Sequence, residues 1–143
     1  MTRRWMRLVG IAVASAALLS CSDATGPRRA NVDLARALWL GSHPSAYTFE
    51  VATESSWFPK SDYYRVEVLD GEVVTARDAT GRVVPDFTLT VESIWDQLLA
   101  ARAKGELNSA TFDGRGIPVE CDMGPWPVDG GVHYWIRNFA KTR

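Results

Sequence analysis

The chain has 143 residues, 16 of them basic and 17 acidic. Beyond residue 20, after Arg3, Arg4 and Arg7 are set aside, 13 basic face 17 acidic side chains, a charge near −4. Such a surface excludes nucleic acid and anionic lipid as electrostatically driven partners, and the 123 residues from Cys21 onward suffice for one domain with one core.

Residues 8 to 21 form an apolar run that follows three arginines and ends in Leu18-Leu19-Ser20-Cys21. A basic start, about a dozen apolar residues and a small residue before the cut define a secretory signal. The run is short of the roughly 20 apolar residues of a membrane-spanning helix. Cysteine directly after Leu-Leu-Ser has the form of a bacterial lipobox. The expectation is a lipoprotein signal peptide over residues 1–20, a lipidated Cys21 with a flexible tether over 21–30, and one domain over 31–143. The protein is then exported and held at the cell-envelope membrane with its domain outside the cytoplasm. Arg3-Arg4-Trp5-Met6-Arg7 partly matches a twin-arginine signal, which leaves the export route open. Cys121 is the one other cysteine; with acidic neighbours on both sides it reads as a buried, inert thiol.

The domain is expected to open with a helix capped by Asn31, in which Leu34, Ala37 and Leu38 share the inward face, flanked by Ala35 and Trp39. Tyr47, Phe49 and Val51 alternate with polar residues as a half-buried strand, and Pro59 marks its end or an edge. Tyr64, Val66 and Val68 lead into Asp70-Gly71, a hairpin signal. A three-residue turn, Leu69-Asp70-Gly71, with Gly71 left-handed would pair Val66 with Val74 and keep one face apolar. Val83-Val84-Pro85 suits a short edge strand. Thr90 caps a second helix whose stripe is Val91, Ile94, Trp95, Leu98 and Leu99, closed by Gly105. A fourth strand from Ser109 is broken at residues 113–116 and resumes through Ile117, Val119, Cys121 and Met123. The last, Val132 to Phe139, puts Tyr134 and Ile136 on one face and Trp135, Arg137 and Phe139 on the other. The predicted fold is α+β: a four- to five-stranded antiparallel sheet with two helices packed on one face.

In order and spacing these segments resemble a family of small exported bacterial lipoproteins known only as a domain of unknown function. The residues concerned are Ala37-Leu38-Trp39 with Tyr47-Thr48-Phe49, then Val66-Glu67-Val68-Leu69-Asp70-Gly71-Glu72-Val73-Val74. Thr90-Val91-Glu92-Ser93-Ile94-Trp95-Asp96, Phe112-Asp113 and Gly116-Ile117-Pro118 complete the match. Members often carry Cys-Phe-Cys-Pro in the first strand; Ser56-Trp57-Phe58-Pro59 stands in that place here, so no redox role carries over. The resemblance implies a class and no chemistry.

No catalytic signature emerges from the residues. Ser55 or Ser56 with His133 and Asp129 lacks a nucleophile elbow, and Asp113, Asp122, Asp129 and His133 lack the ligand alternation of a calcium loop. No metal or cofactor is expected. Trp126, stiffened by Pro125 and Pro127, serves either as a lid over one end of the sheet or, with Met123, Trp57 and Trp135, as a binding surface. The leading expectation is a monomeric, non-enzymatic module that binds an envelope protein or small ligand. The alternative is an envelope hydrolase or metal-dependent enzyme using His133 and the nearby aspartates.

Overall fold

The computed structural model describes residues 27–125 and 130–142. Its elements are α1 (Pro27–Ser42), β1 (Ala46–Ser55), β2 (Tyr64–Leu69), β3 (Glu72–Arg77), α2 (Val91–Lys104), β4 (Leu107–Phe112), β5 (Pro118–Met123) and β6 (Val132–Lys141). The strands form one antiparallel sheet in the order β3-β2-β1-β6-β5-β4, and residues from both helices join the apolar face of that sheet in a single core. The α+β class holds, with six strands rather than four to five. The expected broken strand is two: Asp113 Oδ1 accepts from the backbone N–H groups of Arg115 and Ile117, and Gly116 has φ 79°, so the chain reverses there. Val83 makes an isolated bridge to Arg77 rather than a strand.

α2 follows its sequence pattern. Thr90 Oγ1 accepts from Ser93 N–H while Ser93 Oγ accepts from Thr90 N–H, and Gly105 closes the helix at φ 77°. Val91, Ile94, Trp95 and Leu98 are buried, with Leu99 half-buried beside them. α1 departs from its pattern on two counts. It starts at Pro27, a favoured first helical residue, so Asn31 lies inside it rather than capping it. Its inward face is Val32, Ala35 and Trp39, whereas Leu34 and Leu38 are 61% and 42% exposed. A tryptophan has more apolar surface to hide than a leucine, and Trp39 sets the rotation by packing against Tyr47 and Phe139. Gly116 reinforces it: a Cβ there would come within 2.0 Å of the Ala35 carbonyl oxygen.

Two bulges correct the predicted strand faces. In the β2–β3 hairpin Val68 pairs with Val73 and Val66 with Ala76, leaving Val74 unpaired and exposed. Asp70 (φ 50°) and Gly71 (φ 82°) make a two-residue turn instead of the expected three-residue one. The extra residue sits inside β3, and the buried face still selects the register, with Ala76 in place of Val74. In β6 the register shifts between Arg137 and Ala140, with Asn138 at φ 53°. That shift carries Phe139 to the helix side, where its ring stacks on Tyr47 at 5.0 Å.

Candidate functional site

β1 and β6 lie side by side, and the two ends of this pair are finished differently. At one end Trp39, Tyr47 and Phe139 close the core. The Tyr47 hydroxyl donates to Glu92 and accepts from Val91 N–H, joining β1 to the start of α2. Burial first, and then the Glu92 carboxylate, raises the Tyr47 pKa well above the ordinary tyrosine value.

At the other end, where β1 passes into the connection to β2, the structure has a groove of about 690 Å³. Its apolar lining comes from Phe58 and Pro59 of that connection, Phe87 and Leu89 before α2, and Tyr64, Val132 and Tyr134 at the strand ends. The Phe87 ring lies 5.2 Å from that of Tyr64. Tyr134 donates its hydroxyl to Gln97 Oε1 at 2.8 Å and is largely buried, which raises its pKa. Glu54, Lys60 and Asp86 supply charges, and Asp86 holds a left-handed backbone at φ 57°. The lip is the tight turn Ser55–Phe58, in which Phe58 N–H donates to Ser55 Oγ and Ser55 N–H to the Phe58 carbonyl. Trp57 and Phe58 at its tip are each 72% exposed.

The sheet face away from the helices carries a different arrangement. His133 stacks on Trp135 with ring centroids 3.8 Å apart, and Lys60 Nζ lies 3.8 Å from the Trp135 ring centre. His133 Nε2 is 3.0 Å from Glu120 Oε1. Farther along, Arg137 lies over Tyr63 and donates from Nε to Glu50 Oε2 at 2.8 Å, which holds the Glu50 carboxyl below its ordinary value.

The residues singled out in the sequence therefore separate. Met123 is 2% exposed and belongs to the core, a correction to its place in the expected surface patch; its position opposite Val132 in the β5–β6 pair turns it under the helices. Trp57 is at the exposed lip, and Trp135 lies in β6 under Lys60 of the same β1–β2 connection. Trp126, Asp129 and Cys21 lie outside the described residues. Asp122 is His133's cross-strand neighbour, but Asp113 belongs to the distant β4–β5 turn, bonded to Arg115 and Ile117. Ser56 Oγ accepts from Gly131 N–H, and neither His133 nor Asp122 lines the groove. Among the described residues no group of His, Cys, Asp and Glu is arranged to hold a metal ion. Cys121 is buried, which pushes its thiol up to about 12. Phe87, Leu89 and Val132 carried no motif; their signal was a run of apolar residues in loops and strand ends, visible only once the chain is folded.

An α+β domain with one closed sheet end and one open, aromatic-lipped end is the class that this geometry defines. Residues 31–141 match the family described as "Family of unknown function (DUF6174)", and the chain belongs to that family. No curated protein and no solved structure matches the chain. Among the described residues no helix is long and apolar enough to cross a membrane.

Proposed function

We propose that this protein is a lipid-anchored cell-envelope binding module, attached through Cys21, that takes a small apolar ligand into the groove beside Phe58. The observation that carries this reading is the groove itself. Its volume falls within the roughly 300–1,000 Å³ of small-molecule sites, and seven of its fourteen lining residues are aromatic or aliphatic. Apolar burial drives association, and Lys60, Glu54 and Asp86 orient a polar head. The module works as a monomer and needs no cofactor.

Titration of the full chain with N-phenylnaphthylamine, an uncharged apolar fluorophore, tests the groove. Saturable binding is expected, weakened at least about tenfold by Phe58→Asp. Wild-type affinity in that variant would refute the assignment. Membrane fractionation tests the anchor separately: Cys21→Ser is expected to release the protein or leave it unprocessed, and full retention would contradict lipidation.

A further inference from the structure

Trp57 is 72% exposed, yet it is absent from the groove lining to which its neighbour Phe58 contributes. A large indole held in water at the tip of a hydrogen-bonded turn gains nothing from the fold. Indole rings favour the boundary between lipid headgroups and acyl chains, where the body of the ring is buried and its N–H stays hydrated.

The contacts of α1 run toward the same end of the sheet as that tip. Asp33, in the second turn of α1, is paired with Arg102 in the last turn of α2 at 2.5 Å. Just past that turn, the Glu106 carbonyl accepts from Gly124 N–H at 2.7 Å. Gly131 then bonds Ser56 in both directions, N–H to Oγ at 3.1 Å and carbonyl to N–H at 3.2 Å. Trp57 is the next residue. This run of contacts links the N-terminal half of α1 to the end of the sheet that carries the lip. Residues 22–26 span at most about 20 Å between Cys21 and Pro27.

We propose that the Trp57–Phe58 turn seats in the interfacial layer of the bilayer that anchors Cys21, so that the groove opens at the membrane surface. The seating rests on the lipid-anchor reading above. The acidic balance of the chain beyond residue 20 makes it an apolar contact rather than an electrostatic one. It therefore holds on zwitterionic phosphatidylcholine vesicles and is insensitive to salt.

The test uses the full lipidated chain in phosphatidylcholine vesicles, with a nitroxide on Phe58→Cys or, as reference, on Leu69→Cys. Leu69 is half-exposed at the far end of β2, and Cys121 is buried and stays unlabelled. Collision with dissolved oxygen and with an aqueous nickel chelate reports label depth. The Phe58 label is expected about 5–10 Å inside the headgroup boundary and the Leu69 label in water. Adding Trp57→Asp is expected to return the Phe58 label to water while the chain still floats with the vesicles. A chain that floats with its Phe58 label as aqueous as the Leu69 label overturns the seating and leaves the anchor standing. A chain that does not float at all overturns both.

Discussion

The two ends of the sheet use the same residue types for opposite purposes. At the closed end Trp39 is almost wholly buried against Tyr47 and Phe139, and Gly116 lets the α1 backbone approach the β4–β5 turn. At the open end Trp57 and Phe58 stand in solvent beside a groove that the fold leaves unfilled. Aromatic content alone does not separate core from binding surface. The separation comes from what the backbone brings next to each ring.

The largest difference between the two ends is expected at Trp39. Trp39→Ala is expected to cost about 3–5 kcal/mol in urea unfolding, the range for truncating a fully buried aromatic ring. A loss near that of a surface change would mean that the closed end does not carry the core. Gly116→Ala comes next, at roughly 3 kcal/mol. A left-handed backbone and a Cβ driven against the Ala35 carbonyl both oppose it. Gly71→Ala sharpens the point, since Gly71 is also left-handed but its Cβ meets nothing within 4 Å. That change is expected to cost only about 1 kcal/mol. Equal losses at the two glycines would deny the close packing at the closed end.

The smallest effect is electrostatic, and it also belongs to buried groups. The folded-state pKa of Tyr47 lies above its ordinary value, and that of Cys121 rises from 9.0 to about 12. Groups shifted upward stabilise the fold fully below their unfolded pKa and lose that contribution as pH rises toward the folded value. Stability is therefore expected to be level from neutral pH to about 9 and then to fall, first through Cys121 and from about 10 through Tyr47. Urea midpoints across that range check it, and a midpoint unchanged at about pH 11 would contradict the burial of these groups.

Much of the closed end was legible in the sequence and little of the open end was. Thr90, Gly105 and the Val91–Leu98 stripe signal α2 because caps and helical periodicity are local. Tyr47, Phe49, Val66 and Val68 signal strands because alternation is local too. The rotation of α1 was not legible: Leu34 and Leu38 are as apolar as the residues that are buried, and only Trp39 meeting Phe139 decides between the faces. Phe139 itself reaches that side through the bulge at Asn138, which no period-two pattern contains. The groove was hidden for the same reason. Phe58, Phe87 and Val132 are separated by 29 and 45 residues and meet only through the sheet order β2-β1-β6.

On the proposed function the open end binds and the closed end only stabilises. The same substitution made at the lip before β2 and at the far end of β2 tests it, with N-phenylnaphthylamine affinity and melting temperature read on the full chain. Phe58→Asp and Leu69→Asp both place a carboxylate on an already exposed apolar position. Both are expected to hold stability within about 0.5 kcal/mol of the parent chain. Phe58→Asp is then predicted to weaken binding at least about tenfold and Leu69→Asp to leave it unchanged. Equal binding in the two variants, whether both intact or both lost, would contradict the account.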